Sequence, residues 1–190
     1  TCALPISRGV DTFYVSVDDN LHELIDLFVK GCGFRYCSTE SVWYASNVNF
    51  LIENTDDDNF RPFKNSDAQK VADLFNENII THYKYSLSKE KGEFYDKFLQ
   101  GIGTVSDFKY VYGDEKNGNI KAFVEIKTVD NCNYFVDTIV SSQFFELYPV
   151  MLSFAVKKII KRNKNFKLYI KNRKYMQTGD MTEEFFRSNH

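Results

Sequence analysis

Three strand-like runs followed by one long apolar helix constrain this chain more than any other feature of it. Phe108–Tyr112, Ile120–Lys127 and Tyr134–Val140 are rich in β-branched and aromatic side chains. The first two are joined across Asn117-Gly118, a pair suited to the positive φ angles of a tight hairpin turn. Glu146–Arg162 then carries Leu147, Val150, Met151, Phe154 and Ile159 on one helical face, with Pro149 in its first turn. A strand at Phe166–Ile170 and a helix over Met181–Ser188 end the series. This pattern predicts an α+β fold on a mixed sheet.

The same series begins earlier, with a strand at Phe60–Lys64 whose Pro62 suits a sheet edge. Ser66-Asp67-Ala68-Gln69 reads as a capping box, and the helix behind it is expected to bury Ala68, Val71, Ala72, Phe75 and Ile79. A second helix is expected over Ser88–Gln100, with Phe94, Phe98 and Leu99 inward. Upstream lies a shorter series. Thr12–Val17 alternates as a strand does, and Asp18 or Asp19 is placed to cap a helix carrying Leu21, Leu24, Ile25 and Phe28, which Gly31 and Gly33 stop. Phe34–Ser38 and Glu40–Ala45 follow as a predicted hairpin. Residues 47–59 read as a linker rich in Asn and Asp, interrupted by Phe50-Leu51-Ile52, which is expected to dock locally. The run Asp56-Asp57-Asp58 lacks the glycine and terminal Glu of an EF-hand loop and reads as solvated.

Composition narrows the function. With 190 residues the chain can bury roughly 70% of its unfolded surface without a metal or disulfide staple. Its longest apolar stretch, around Val150–Val156, falls well short of the roughly 20 residues a membrane span needs. Cys2, Cys32, Cys37 and Cys132 form no C-x-x-C pair and only three histidines accompany them, which argues against zinc ribbons and disulfide frameworks and for reduced thiols in a cytoplasm. A net charge of −2 argues against a protein that coats DNA. Residues 1–7, Thr-Cys-Ala-Leu-Pro-Ile-Ser, resemble a translated sequencing adapter and are set aside from fold reasoning, so that natural sequence is expected from about Arg8.

From Phe60 the elements read strand, helix, helix, three strands, helix, strand, helix. This order resembles the GNAT superfamily of acyl-CoA-dependent N-acyltransferases, whose fold continues with two further strands. The upstream series resembles the last third of the same fold, on Asn20, Leu27-Phe28-Val29-Lys30-Gly31-Cys32-Gly33-Phe34-Arg35 and Val42-Trp43-Tyr44. Phe60-Arg61-Pro62-Phe63 followed by Ser66-Asp67-Ala68 resembles a GNAT opening. The resemblance implies the end of one GNAT-like domain at 8–46, the linker, and most of a second at 60–190, with contact between the two. It also implies a parent protein that transfers an acyl group from acetyl-CoA to an amine on a small molecule or a protein.

What the resemblance requires is only partly present. The CoA pyrophosphate would sit at the start of the long helix, on backbone N–H groups near Val140 and along Ser141-Ser142-Gln143, with Asn20 as the corresponding cofactor residue of the upstream domain. That turn has no glycine, and Phe144, Phe145 and Glu146 disfavour a phosphate; an ordinary helix start is the competing reading. Phe28 (or Val29, if the extra residue before Gly33 is placed differently) and Phe186 stand where the resemblance expects a thiol-protonating Tyr, and neither Phe nor Val has a proton to give. Asp137, in an apolar strand, is a candidate base with a raised pKa or else a hydrogen-bonded structural residue. Glu125 is a second candidate, placed by alternation on an open sheet face. The second domain is therefore expected to be catalytically degenerate. The competing class is an interaction module that binds a protein or a nucleic acid through residues 157–174, where nine Lys or Arg stand without an acidic residue. Lysines on a helix's solvent face and C-terminal end explain much of that run without a nucleic acid.

Overall fold

In chain order the strands are β1 (Glu40–Ala45), β2 (Phe60–Pro62), β3 (Ser106–Tyr112), β4 (Ala122–Thr128), β5 (Asn133–Val140) and β6 (Lys167–Arg173). The helices are α1 (His22–Asp26), α2 (Ala68–Glu77), α3 (Leu147–Ile160) and α4 (Gly179–Ser188). The computed structural model describes residues 14–45, 47–52, 59–83, 87–95, 106–113 and 118–188. These divide into two units, one up to Ser38 and one from Thr39 onward, so the division falls upstream of the expected 47–59 linker.

The first unit holds α1, which widens into a π-helical turn over Leu27–Gly31. None of its described side chains is buried. Phe28 meets Phe34 edge-on, with ring centroids 5.4 Å apart. Two expectations fail here. Tyr14–Val17 and 34–38 join no sheet among the described residues (Thr12 and Phe13 lie outside them), and the Asp18 backbone carbonyl, not an acidic side chain, receives the Leu21 N–H. Alternation makes a strand only where a neighbour completes its ladder.

The second unit is α+β, with the six strands in one mixed sheet ordered β1-β6-β5-β4-β3-β2. Antiparallel pairing runs from β2 through β5; of the Asn117-Gly118 pair expected to turn between β3 and β4, Asn117 lies outside the described residues, and Gly118 has a φ of +65°. The α3 crossover then delivers β6 parallel to β5. The predicted 34–45 hairpin does not form. Instead β1 pairs antiparallel with β6, Trp43 opposite Ile170, and covers the β6 edge of the sheet.

The core lies on both faces of the sheet. On one, α3 and α4 pack on Val124, Ile126, Val136, Leu168 and Ile170. Leu51 joins this cluster, so Phe50-Leu51-Ile52 docks as expected while the acidic run lies outside the described residues. On the other face, α2 buries Ala68, Val71, Ala72 and Phe75 against Val111, Phe123 and Ile139, with Ile79 just beyond its end. The expected capping box is shifted: the Asp67 carboxylate, not Ser66, accepts the Lys64 N–H at 2.9 Å and holds Arg61 in a two-bonded pair. Over 88–95 there is only a 3-10 turn at Lys91–Glu93, with Phe94 buried; Phe98 and Leu99 lie outside the described residues. Helix α3 is buried nearly all round, Tyr148, Leu152 and Ala155 included, rather than along one stripe. No helix among the described residues is long and apolar enough to cross a membrane.

Candidate functional site

Asp137 and Glu125 stand directly opposite each other on β5 and β4. Cross-strand partners share a sheet face, so a single row of charges forms across the sheet. Lys109 on β3 faces Glu125, and Arg173 on β6 faces Glu40 on β1. Arg173 joins the two halves. Its Nη1 donates to Asp137 Oδ1 at 2.6 Å, its Nη2 donates to Oδ2, and its Nε lies 3.3 Å from Glu40 Oε1. Only 5% of the Arg173 side chain is exposed, and Phe75 packs over its guanidinium. The Tyr175 hydroxyl donates to Glu40 at 2.6 Å, and Lys171 reaches the other Glu40 oxygen at 2.5 Å. Lys127 lies 2.6 Å from Glu125, and the buried Lys109 ammonium lies 3.7 Å from it while donating to the Phe94 carbonyl at 3.0 Å.

These partners fix the protonation states. Burial pushes the Asp137 carboxyl up, but the Arg173 charge and its two hydrogen bonds outweigh that and hold it below the usual carboxylate range. Asp137 is therefore not the base with a raised pKa that its apolar strand suggested. Glu40 is likewise pushed up by burial and brought lower overall by Lys171, Tyr175 and Arg173. Burial raises the Tyr175 phenol, and its bond to Glu40 adds to the rise. Glu125 does not lie on an open face: its carboxylate is mostly covered and sits between two lysines. Each acid in the row is engaged by a cation, an arrangement that holds strands together.

Beyond Val136 and Ile170 the parallel β5–β6 ladder ends, although both strands continue. Behind Arg173 this opening holds a cavity of about 20 Å³, bordered by Thr138, Tyr148, Asn172 and Thr182, room for about one water. Burial raises the Tyr148 phenol there. At the start of α3 the expected anion-binding amides are occupied. Ser142 N–H donates to Asn78 Oδ1 at 3.3 Å and Gln143 N–H to Ser141 Oγ at 3.4 Å, while Ser142 Oγ bonds the Gln177 amide at 3.0 Å. Val140 is buried, and Phe145 stacks on Tyr148 with ring centroids 5.1 Å apart.

Asn20 is an exposed turn residue of the first unit. The 157–174 run is spread over several tasks. Lys171, Arg173 and Lys174 pair with carboxylates, while Lys158 lies over Phe154 and Arg162 over Phe108. No group of three or more potential metal ligands occurs among the described residues. The sequence reading missed Arg173, Glu40, Tyr175 and Lys109. Arg173 and Lys171 share a β6 face by alternation, and an acid in an apolar strand calls for such a cation, which was the available signal. No protein-family model matches the chain, and no curated protein matches it either.

Proposed function

We propose that residues 60–188 are a degenerate GNAT-like domain, a non-catalytic partner within a parent that transfers an acyl group from acetyl-CoA to an amine. The order β2, α2, β3, β4, β5, α3, β6, α4 supports the family reading in part: it matches the expected series except that, of the two helices expected between the first two strands, only α2 forms among the described residues. The observation that carries degeneracy is the turn before α3. Its Ser142 and Gln143 N–H groups already have acceptors within the protein, so a pyrophosphate would have to displace Asn78 and Ser141 to reach them. The carboxylates available as bases are tied to cations, and Phe186 packs edge-on against Trp43 at 5.4 Å in the core. Calorimetric titration of the chain with acetyl-CoA tests the reading. No heat and no thermal shift at millimolar ligand is the expected result. Saturable binding that CoA competes and that substitution of Ser141–Gln143 abolishes would overturn it.

A further inference from the structure

The two borders of the sheet are built differently. At one end β2 is three residues long and contains Pro62, whose missing N–H blocks pairing. At the other end β1 runs six residues, Glu-Ser-Val-Trp-Tyr-Ala, without lysine, proline or a bulge. Val42 and Tyr44 on its outer face are each 55% exposed. Beside it lies a largely apolar groove of about 410 Å³ between β1 and α4, lined by Trp43, Ala45, Ile170 and Phe186. Nothing among the described residues adds a strand to this border. Apart from Glu40 at its start, this strand carries no lysine, proline or bulge of the kind that keeps strand edges from joining.

We infer that β1 is a self-association edge, which pairs antiparallel with β1 of a second copy across a two-fold axis at Trp43. The strand's own sequence selects this occupant. Residues facing each other across an antiparallel pair share a face, so with Trp43 opposite its own copy, Val42 meets Tyr44 and Tyr44 meets Val42. Each contact is an aromatic against a β-branched side chain, among the favourable cross-strand pairs. Glu40, already bonded to Lys171 and Tyr175, falls at the end of the paired segment and faces no second acid. The result is one sheet of twice six strands, with the two grooves flanking the two-fold.

Trp43 is the chain's single tryptophan and reports on the pairing directly. The full chain should show a dimer mass in sedimentation that dissociates on dilution, with Trp43 emission moving to longer wavelength in step. Val42→Lys and Tyr44→Lys each enter the interface twice by symmetry and should weaken association about tenfold or more. Both sites are exposed, so far-ultraviolet circular dichroism should be unchanged, and Val42→Thr should retain the dimer. A monomer at the highest soluble concentration with constant Trp43 emission would overturn the inference. A dimer that survives both lysine substitutions would overturn it too, because the contact would then lie elsewhere, the exposed apolar side chains of α1 included.

Discussion

Among the described residues two arginine–aspartate pairs stand out, and they differ in almost everything but geometry. Arg61 and Asp67 are six residues apart and fasten the border strand β2 to the turn that starts α2, with two bonds of 2.6 and 2.8 Å. Arg173 and Asp137 are 36 residues apart and join β5 to β6 where their backbone ladder has ended. The first guanidinium keeps 21% of its side-chain surface in water, the second 5%. The local pair adds to a helix cap that would exist without it. The distant pair substitutes for missing backbone pairing, and it also holds Glu40 and thereby β1. Burial therefore makes the second pair costly to break rather than strongly stabilising in itself.

The largest effect should come from Arg173→Ala, which leaves the Asp137 carboxylate without its cation and removes one of the partners of Glu40. A loss of about 3–5 kcal/mol is expected in urea unfolding. The double variant Arg173→Met/Asp137→Leu should recover much of it, and failure to recover would mean that Glu40 is the partner that matters. Acidification comes next. Asp137, Glu40 and Asp67 all have folded pKa values below their ordinary ones. Their stabilisation is present in full above about pH 5 and is lost as pH falls through about 4 toward the folded values. A melting temperature that stays flat down to pH 3 would contradict this, and the Arg173→Met/Asp137→Leu variant should show a shallower acid limb than the parent. Asp67→Ala removes the cap and the local pair together and should cost about 2 kcal/mol. If it costs more than Arg173→Ala, the contrast between the pairs fails. Lys127→Met, on β4 beside the row of charges and with its side chain 45% exposed, should change stability by about 0.5 kcal/mol or less.

The distinction between near and far also explains what could be read from the sequence. Strands β3 to β6, helices α2 and α4, and the core face of α2 were legible because alternation and helical spacing are local signals. Helix α3 was legible as a helix, but not as one buried all round, since that depends on residues 49–52 and α4 closing over it. The strand Glu40–Ala45 was legible too, while its partner was not. Its nearest candidate, 34–38, offers a similar pattern, and only the sheet shows that β6 takes the place instead. The carboxylate at Asp137 could be singled out as unusual for an apolar strand. Whether it was a base or half of an ion pair depended on Arg173, which in sequence looked like one more member of a basic run.

The pairing of β1 with β6 has a consequence for how the protein is made. Ala45 must find Leu168, about 120 residues later in the chain. At about 5–20 residues per second, β1 emerges from a ribosome roughly 6–25 s before its partner exists. During that interval Val42, Trp43 and Tyr44 form an extended apolar segment with no ladder to join, a suitable target for a chaperone that holds nascent chains. Slowed synthesis between residues 46 and 166 should therefore lower the soluble yield, and a stall after β6 should not.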